Sequence, residues 1–282
     1  MKGKKKVAIV VIAVIILLSM VLIYENEHLE LNSLVVESAD LPEEFDGFRI
    51  VHLSDFHNAE IGENNKTLIS VIEEAKPDII VITGDIVDSR RTDIGVAVDF
   101  VREIVKIAPC YYVTGNHEAR ISDYAQLKQG LTEAGVILLD NKKITIAKSG
   151  AELEIMGIDD PMFEADYFSE NEFAVVDNSI KNLNIEDNSF SLLLSHRPEM
   201  FEVYAENGLD LVLSGHAHGG QFRIPFIGGF IAPGQGLFPE YDAGLYEDGK
   251  TNMFVSRGIG NSIIPLRVNN RPEVVLIELN IG

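Results

Sequence analysis

Apolar residues in this chain fall into short solid blocks that recur at intervals and stop at polar clusters. The blocks span residues 49–53, 79–83, 111–114, 153–157, 191–194 and 211–213 and are rich in Val, Ile and Leu. Runs of that length and composition predict strands buried on both faces. Between them, spaced apolar positions over 66–75, 95–107, 124–134 and 198–207 predict helices, with Gly or Pro near several ends. Alternating strands and helices predict α/β architecture, in which ligands gather in loops beyond the carboxyl ends of the strands. Two later blocks, 253–256 and 273–279, have no helical pattern between them. They predict that the second half of the sheet system is antiparallel or mixed.

The N-terminus follows a different pattern. Lys2, Lys4, Lys5 and Lys6 precede an uncharged run of 17 residues from Val7 to Ile23. That length lies at the lower edge of what spans a bilayer. The run is apolar on every face, which favours a membrane segment over a core helix. No small-x-small cleavage site lies around Ser19 to Tyr24, so an uncleaved signal anchor is favoured over a cleaved signal peptide. No twin-arginine pair precedes the run and no lipobox cysteine follows it. The lysines stay cytoplasmic by the positive-inside rule, which sends everything after Tyr24 to the outer side. Residues 1–24 are therefore read as an anchor, 25–45 as an acidic stalk leading into a first strand near 34–36, and 46–282 as one large domain.

Composition supports a single domain: 46% apolar and 24% charged residues are ordinary for a globular chain, with no repeat and no linker-like run. Charge narrows the partners. The formal net charge is −21, and without the four anchor lysines 19 basic residues face 44 acidic ones. Such a surface excludes long duplex nucleic acid as a ligand, because that affinity rests on many Lys and Arg contacts to phosphate. An anionic ester can still bind where cations reverse the local field. The single Cys110 can form no internal disulfide.

Five of the seven histidines fall in four Asp/Asn/His clusters, leaving only His28 and His52 outside. The clusters read Asp55-Phe56-His57, Gly84-Asp85, Gly115-Asn116-His117-Glu118, and His196 followed by Gly215-His216-Ala217-His218. Each follows a predicted strand. Asp55 and His57 are two residues apart, so an extended continuation of the strand would send both side chains out on one face. Asp85 carries the group best able to bridge two cations. Asn116 offers a neutral oxygen, a ligand without further negative charge. Asp88 is read either as a support for the site or as a helix cap. Imidazole and carboxylate without thiolate suit Mn, Fe or Zn. No Gly-x-Ser-x-Gly elbow is present, and Cys110 stands alone in a predicted strand, so a serine or cysteine hydrolase is disfavoured.

This series of motifs resembles the calcineurin-like metallophosphoesterases, and the likeness extends from about Asp46 to the end. Gly219-Gly220-Gln221, Gly258-x-Gly260, Arg267 and Pro272-Glu273 resemble the membrane-anchored prokaryotic, phosphodiesterase-like branch. The resemblance implies a four-layer αββα sandwich of two mixed β-sheets flanked by helices, with two divalent metal ions where the sheets meet. It places Asp55, His57 and His218 on one metal, Asp85 between both, and Asn116, His196 and His216 on the other. His117 is left to stabilise phosphoryl oxygens and protonate the leaving oxygen, with Glu118 orienting it. The implied reaction is attack on a phosphate ester by water shared between the cations. The anchor points to phosphodiester or pyrophosphate-type substrates of the membrane or envelope. A lipid-linked nucleotide-sugar pyrophosphatase and a non-catalytic scaffold remain as alternatives. Arg223, Arg257 and Arg267 are read as ion-pair partners or substrate contacts, and 222–238 as a loop resting on the bilayer or covering the site mouth.

Overall fold

The computed structural model describes residues 2–164, 171–185, 189–261 and 264–282. In chain order the first half holds α1 (Lys2–Glu27), β1 (Glu30–Ser38), β2 (Phe48–Leu53), α2 (Lys66–Glu74), β3 (Ile79–Thr83), α3 (Ile94–Ile104), β4 (Cys110–Val113) and α4 (Tyr124–Ala134). There follow β5 (Ile137–Leu138), β6 (Lys142–Lys148), β7 (Ala151–Gly157), α5 (Asn171–Asn182), β8 (Ser191–Leu194), α6 (Phe201–Glu206) and β9 (Leu211–Ser214). The remainder is β10 (Arg223–Ile224), β11 (Gly228–Gly229), β12 (Ile231–Ala232), β13 (Gly236–Leu237), β14 (Gly244–Asp248), β15 (Thr251–Val255) and β16 (Glu273–Ile281).

Two six-stranded sheets result, ordered β1-β16-β2-β3-β4-β5 and β14-β15-β9-β8-β7-β6. Both are mixed. In the first, β16 runs antiparallel to β2 while the other neighbours are parallel; in the second, the two edge strands, β14 and β6, are antiparallel to their neighbours. The blocks at 253–256 and 273–279 thus enter different sheets, and the last strand completes the first sheet rather than the second.

The solid apolar blocks follow from the layering. In β3, Ile79 and Val81 join the core between the sheets, where they meet Leu153, Leu192, Leu211 and Leu213. Ile80 and Ile82 point the other way, onto Leu68, Phe100 and Leu127 of α2, α3 and α4. The second sheet repeats this, with Met156, Leu193 and Val212 packed on Val176, Ile180 and Tyr204 of α5 and α6. Helices outside and two sheets inside make four layers, αββα.

Local chemistry sets the ends. Asp93 caps α3 by accepting the Val96 N–H, and Gly135 closes α4 at φ 100°, a left-handed conformation that costs glycine little. The helix expected over 198–207 is a 3₁₀ turn at Pro198–Met200 followed by α6. The sheet also begins ahead of Asp46, since β1 pairs along its whole length with β16. Helix α1 is long and apolar enough to cross a membrane, and none of its described side chains is buried.

Candidate metal centre

The parallel strands of both sheets end at a common edge. The turns after β2, β3 and β4 deliver Asp55 with His57, Asp85, and Asn116 with His117; those after β8 and β9 deliver His196, and His216 with His218. All of these residues are buried. The turns do not continue extended: φ is 52° at Asp55, 48° at His57, 51° at Asp85, 66° at His216 and 49° at His218. Left-handed backbone at a residue other than glycine costs about 1 kcal/mol or more, so its recurrence at five of these positions marks turns held by their surroundings. The extended continuation expected for Asp55 and His57 is therefore absent, both residues being left-handed. Neighbouring loops supply the constraint, with Asp55 N–H bonded to the Gly84 carbonyl at 3.1 Å and His57 N–H to the Asp85 carbonyl at 2.9 Å. A Cβ at Gly84 would lie 2.6 Å from the Gly115 nitrogen, so the two loops approach only because both residues are glycine.

The side chains gather in two overlapping groups. In one, Nε2 of His57 and Nε2 of His218 are 3.1 Å apart, and Oδ1 of Asp55 lies 3.7 and 3.2 Å from them. That oxygen is buried without a hydrogen-bond partner. In the other, Nε2 of His196 is 3.1 Å from Nδ1 of His216, 3.3 Å from Oδ1 of Asn116 and 3.3 Å from Oδ2 of Asp85. Asp85 belongs to both, since the same Oδ2 is 3.6 Å from Nε2 of His57. Lone pairs converging out of water repel one another unless a cation shares them, and the sets Asp55-His57-His218 and Asp85-His196-His216 each bring their ligand atoms within 4.8 Å of one another. The donor set therefore fits two divalent cations.

Electrostatics agree with this. Burial alone would raise both carboxyls, but His218 foremost for Asp55, and His196 foremost for Asp85, hold them well below the usual carboxylate range. Burial also opposes charge on His196, yet Asp85 carries its imidazole up to about 10. The site demands positive charge. His196 is aimed by the Thr83 carbonyl, 2.7 Å from its Nδ1, which turns Nε2 toward Asp85.

His117 is held differently. Its Nδ1 accepts the Ser89 backbone N–H at 2.9 Å, with the Ser89 hydroxyl at 3.2 Å. An amide N–H only donates, so Nδ1 carries no proton and the neutral ring bears its hydrogen on Nε2. Burial lowers its pKa to about 4. Nε2 lies 3.9 Å from Oδ2 of Asp85, on the same side as the other donors.

Glu118 does not orient this ring directly. Its carboxylate accepts backbone N–H groups from Asp85 at 2.8 Å, Gly115 at 2.6 Å and Val87 at 3.3 Å, tying the β3 and β4 loops together. The groups at the imidazole are Ser89 and the Asp88 carboxylate, 3.6 Å from Nδ1. Asp88 accepts the Arg90 N–H and caps no helix; Asp93 holds that position.

The turns that carry these donors, from Asp55 to His218, lie within one matched region: residues 48–220 match the family model described as calcineurin-like phosphoesterase. The chain belongs to that family. This calcineurin-like phosphoesterase is 33% identical over 261 residues to the protein named uncharacterized metallophosphoesterase YkuE of Bacillus subtilis, covering 90% of this chain and 87% of that one. It is 30% identical over 246 residues to the phosphodiesterase YaeI of Escherichia coli, covering 82% of each. Among solved structures, TT1561 of Thermus thermophilus superposes with a TM-score of 0.51 at 13% identity, over 75% of this chain and 89% of that one, a likeness of fold. The chain is a phosphoester hydrolase.

Several residues of this phosphoesterase's site carry no motif signal of their own. Arg197 is fully buried beside His216, its guanidinium bonded to Asp160 at 2.5 and 2.9 Å and to Glu199 at 3.3 Å. Its position directly after His196 is the one available hint. The other arginines are engaged in structure. Arg223 pairs with Asp242 at 3.1 Å, Arg257 bridges Glu30 and Glu273 at 2.7 Å each, and Arg267 donates to the carbonyls of Arg257 and Gly260.

Proposed function

We propose that the protein is a dinuclear phosphodiesterase of the membrane surface, acting on phosphate esters of the membrane or envelope. The observation that carries this reading is Asp85 Oδ2, a buried carboxylate oxygen 3.6 Å from His57 and 3.3 Å from His196, one ring of each donor group. Asp55, His57, Asp85 and His218 would hold one divalent cation, and Asp85, Asn116, His196 and His216 the other, with Mn, Fe or Zn suited to the donors. The chemistry such a pair supplies is polarisation of the phosphoryl oxygens and acidification of water at the site.

The chain's own part is positioning. His117 presents Nε2–H to a phosphoryl or leaving oxygen and, held neutral by burial and by the Ser89 N–H, acts as a fixed hydrogen-bond donor. Glu118 keeps the loops that carry Asp85 and His117 in register. The Arg197–Asp160 pair walls the second donor group beside His216. No side-chain nucleophile is required; Cys110 is buried within β4 and its thiol is pushed up by burial.

Location follows from α1. Read as an anchor with its lysines in the cytoplasm, it holds the site on the outer side of the membrane. The name phosphodiesterase carried by the Escherichia coli relative supports diesters as the substrate class. The test is the purified full chain, loaded in turn with Mn, Fe and Zn, against matched phosphomonoesters, phosphodiesters and nucleotide-sugar pyrophosphates. Diester turnover is expected to exceed the others, and preference for a pyrophosphate would replace this reading.

A further inference from the structure

Between the metal-type donors and the C-terminal strand lie two stretches unlike the acidic remainder of the chain after α1. From Gln221 to Pro239 and from Arg257 to Pro272 there is no Asp or Glu, in a sequence holding 44 of them. The first stretch also carries large apolar side chains turned to the outside: Phe226 is fully exposed, and Ile227, Leu237 and Phe238 are each more than half exposed. Soluble surfaces rarely group such residues, and patches of this kind mark contact with protein or lipid.

The two stretches are joined to each other and to α1. Phe222 bridges Val268, and the Gln221 side chain donates to the carbonyls of Ile264 and Leu266 at 2.8 and 2.6 Å. In the last turn of α1, Asn26 accepts the Arg267 N–H at 2.8 Å and donates to the Arg267 carbonyl at 2.9 Å, while the Arg271 guanidinium stacks 5.3 Å from the centre of the Tyr24 ring. The end of the apolar helix is thus fastened to the segment that supports the exposed side chains. The site is close behind: Gln221 N–H bonds to the His218 carbonyl at 3.0 Å, and Gly260 N–H to the Asp55 carbonyl at 2.7 Å.

We infer that the 221–239 loop and the 264–268 segment form a collar seated in the lipid headgroup layer, turning the mouth of the site onto the bilayer so that the phosphoester is taken from a membrane lipid. This rests on α1 being the anchor under the proposed function. The occupant is the bilayer rather than a second protein because the surface is continuous, through Asn26 and Arg267, with the one helix able to lie in lipid among the described residues. Neither stretch carries a carboxylate of its own, and Asp242 beside the first is paired with Arg223 at 3.1 Å, so headgroup phosphates meet less repulsion here than over the rest of the surface.

The test is depth measurement on the full chain in phosphatidylcholine vesicles containing phosphatidylglycerol. Cys110 is buried, so single cysteines introduced by Phe226→Cys, Phe238→Cys, Ile15→Cys and Lys106→Cys take an environment-sensitive fluorophore selectively. A headgroup-level nitroxide lipid should quench positions 226 and 238 about threefold more than position 106, which lies between the end of α3 and the start of β4. Quenching at 226 and 238 no stronger than at 106, with Ile15→Cys in lipid, would overturn the collar. So would energy transfer between labelled copies that survives dilution with lipid, the signature of self-association. Loss of the Ile15 signal as well would overturn anchor and collar together. None of these readings uses turnover, so a chain inactive on diesters would strike the proposed function alone.

Discussion

Ser89 and His117 are joined by a hydrogen bond that can run in only one direction. The backbone N–H of Ser89 donates to Nδ1 at 2.9 Å, so protonating that nitrogen would set two N–H groups against each other. Since the donor is backbone, Ser89→Ala should leave turnover within about threefold of the parent, whereas His117→Ala removes the Nε2–H and should lower kcat by about 10²- to 10⁴-fold. Metal content by plasma mass spectrometry should stay at two ions in both. Loss of metal from His117→Ala equal to that from a ligand variant would remove the role given to this ring.

Asp85→Ala is expected to behave in the opposite way. Its Oδ2 serves both donor groups, and its Oδ1 also accepts the backbone N–H of His117 at 2.8 Å. Both ions and turnover should be lost together, measured by isothermal titration with Mn or Zn. Retention of one tightly held ion would show that the two groups are independent.

Arg197 and Asp160 form a buried ion pair, and removing Asp160 takes away the two shorter of the bonds that hold the buried guanidinium, leaving Glu199 at 3.3 Å. Asp160→Ala should therefore destabilise the fold by about 3–5 kcal/mol, while replacing both with apolar residues of similar volume should recover much of that loss. Urea midpoints of the two variants decide it. If the double replacement is the less stable one, the pair contributes net stability.

Asp159 gives a pH signature. Burial foremost raises its carboxyl from the ordinary 3.8 to about 6, against a hydrogen bond from the Thr114 hydroxyl at 2.9 Å. Between those values the folded chain holds more protons at this position than the unfolded chain. Its contribution to stability therefore falls as pH rises through the window, by on the order of 2 kcal/mol, and stays low above it. Asp159→Asn should lack that fall, so its thermal midpoint should gain on the parent between pH 4 and pH 7. A constant offset across that range would show that Asp159 titrates normally.

What the sequence makes legible divides along a physical line. Blocks such as 79–83 and 191–194 can be read because a strand covered on both faces needs apolar residues throughout, and ligand side chains can be read because few residue types will serve. Strand β6, in which lysines and a threonine break up two isoleucines and an alanine at a half-covered edge, forms no solid block and escapes that reading. The same holds for α5, whose apolar positions are diluted by Asn, Asp and Ser. In the site, the grip on His117 comes from a backbone N–H and the grip on His196 from a backbone carbonyl, and neither leaves any trace in residue type. Glu118 carries a signal of importance but not of what it touches.

The seat of β16 has a consequence for how the protein is made. Because that strand lies between β1 and β2, β1 has no partner in the sheet until β16 is synthesised. While the chain between them is made, that edge of the sheet must therefore wait open, a long-range closure of the sort that slows assembly and leaves strand edges bare. Trimming even a few residues from β16 should then harm biogenesis more than catalysis, leaving β1 with nothing to pair against.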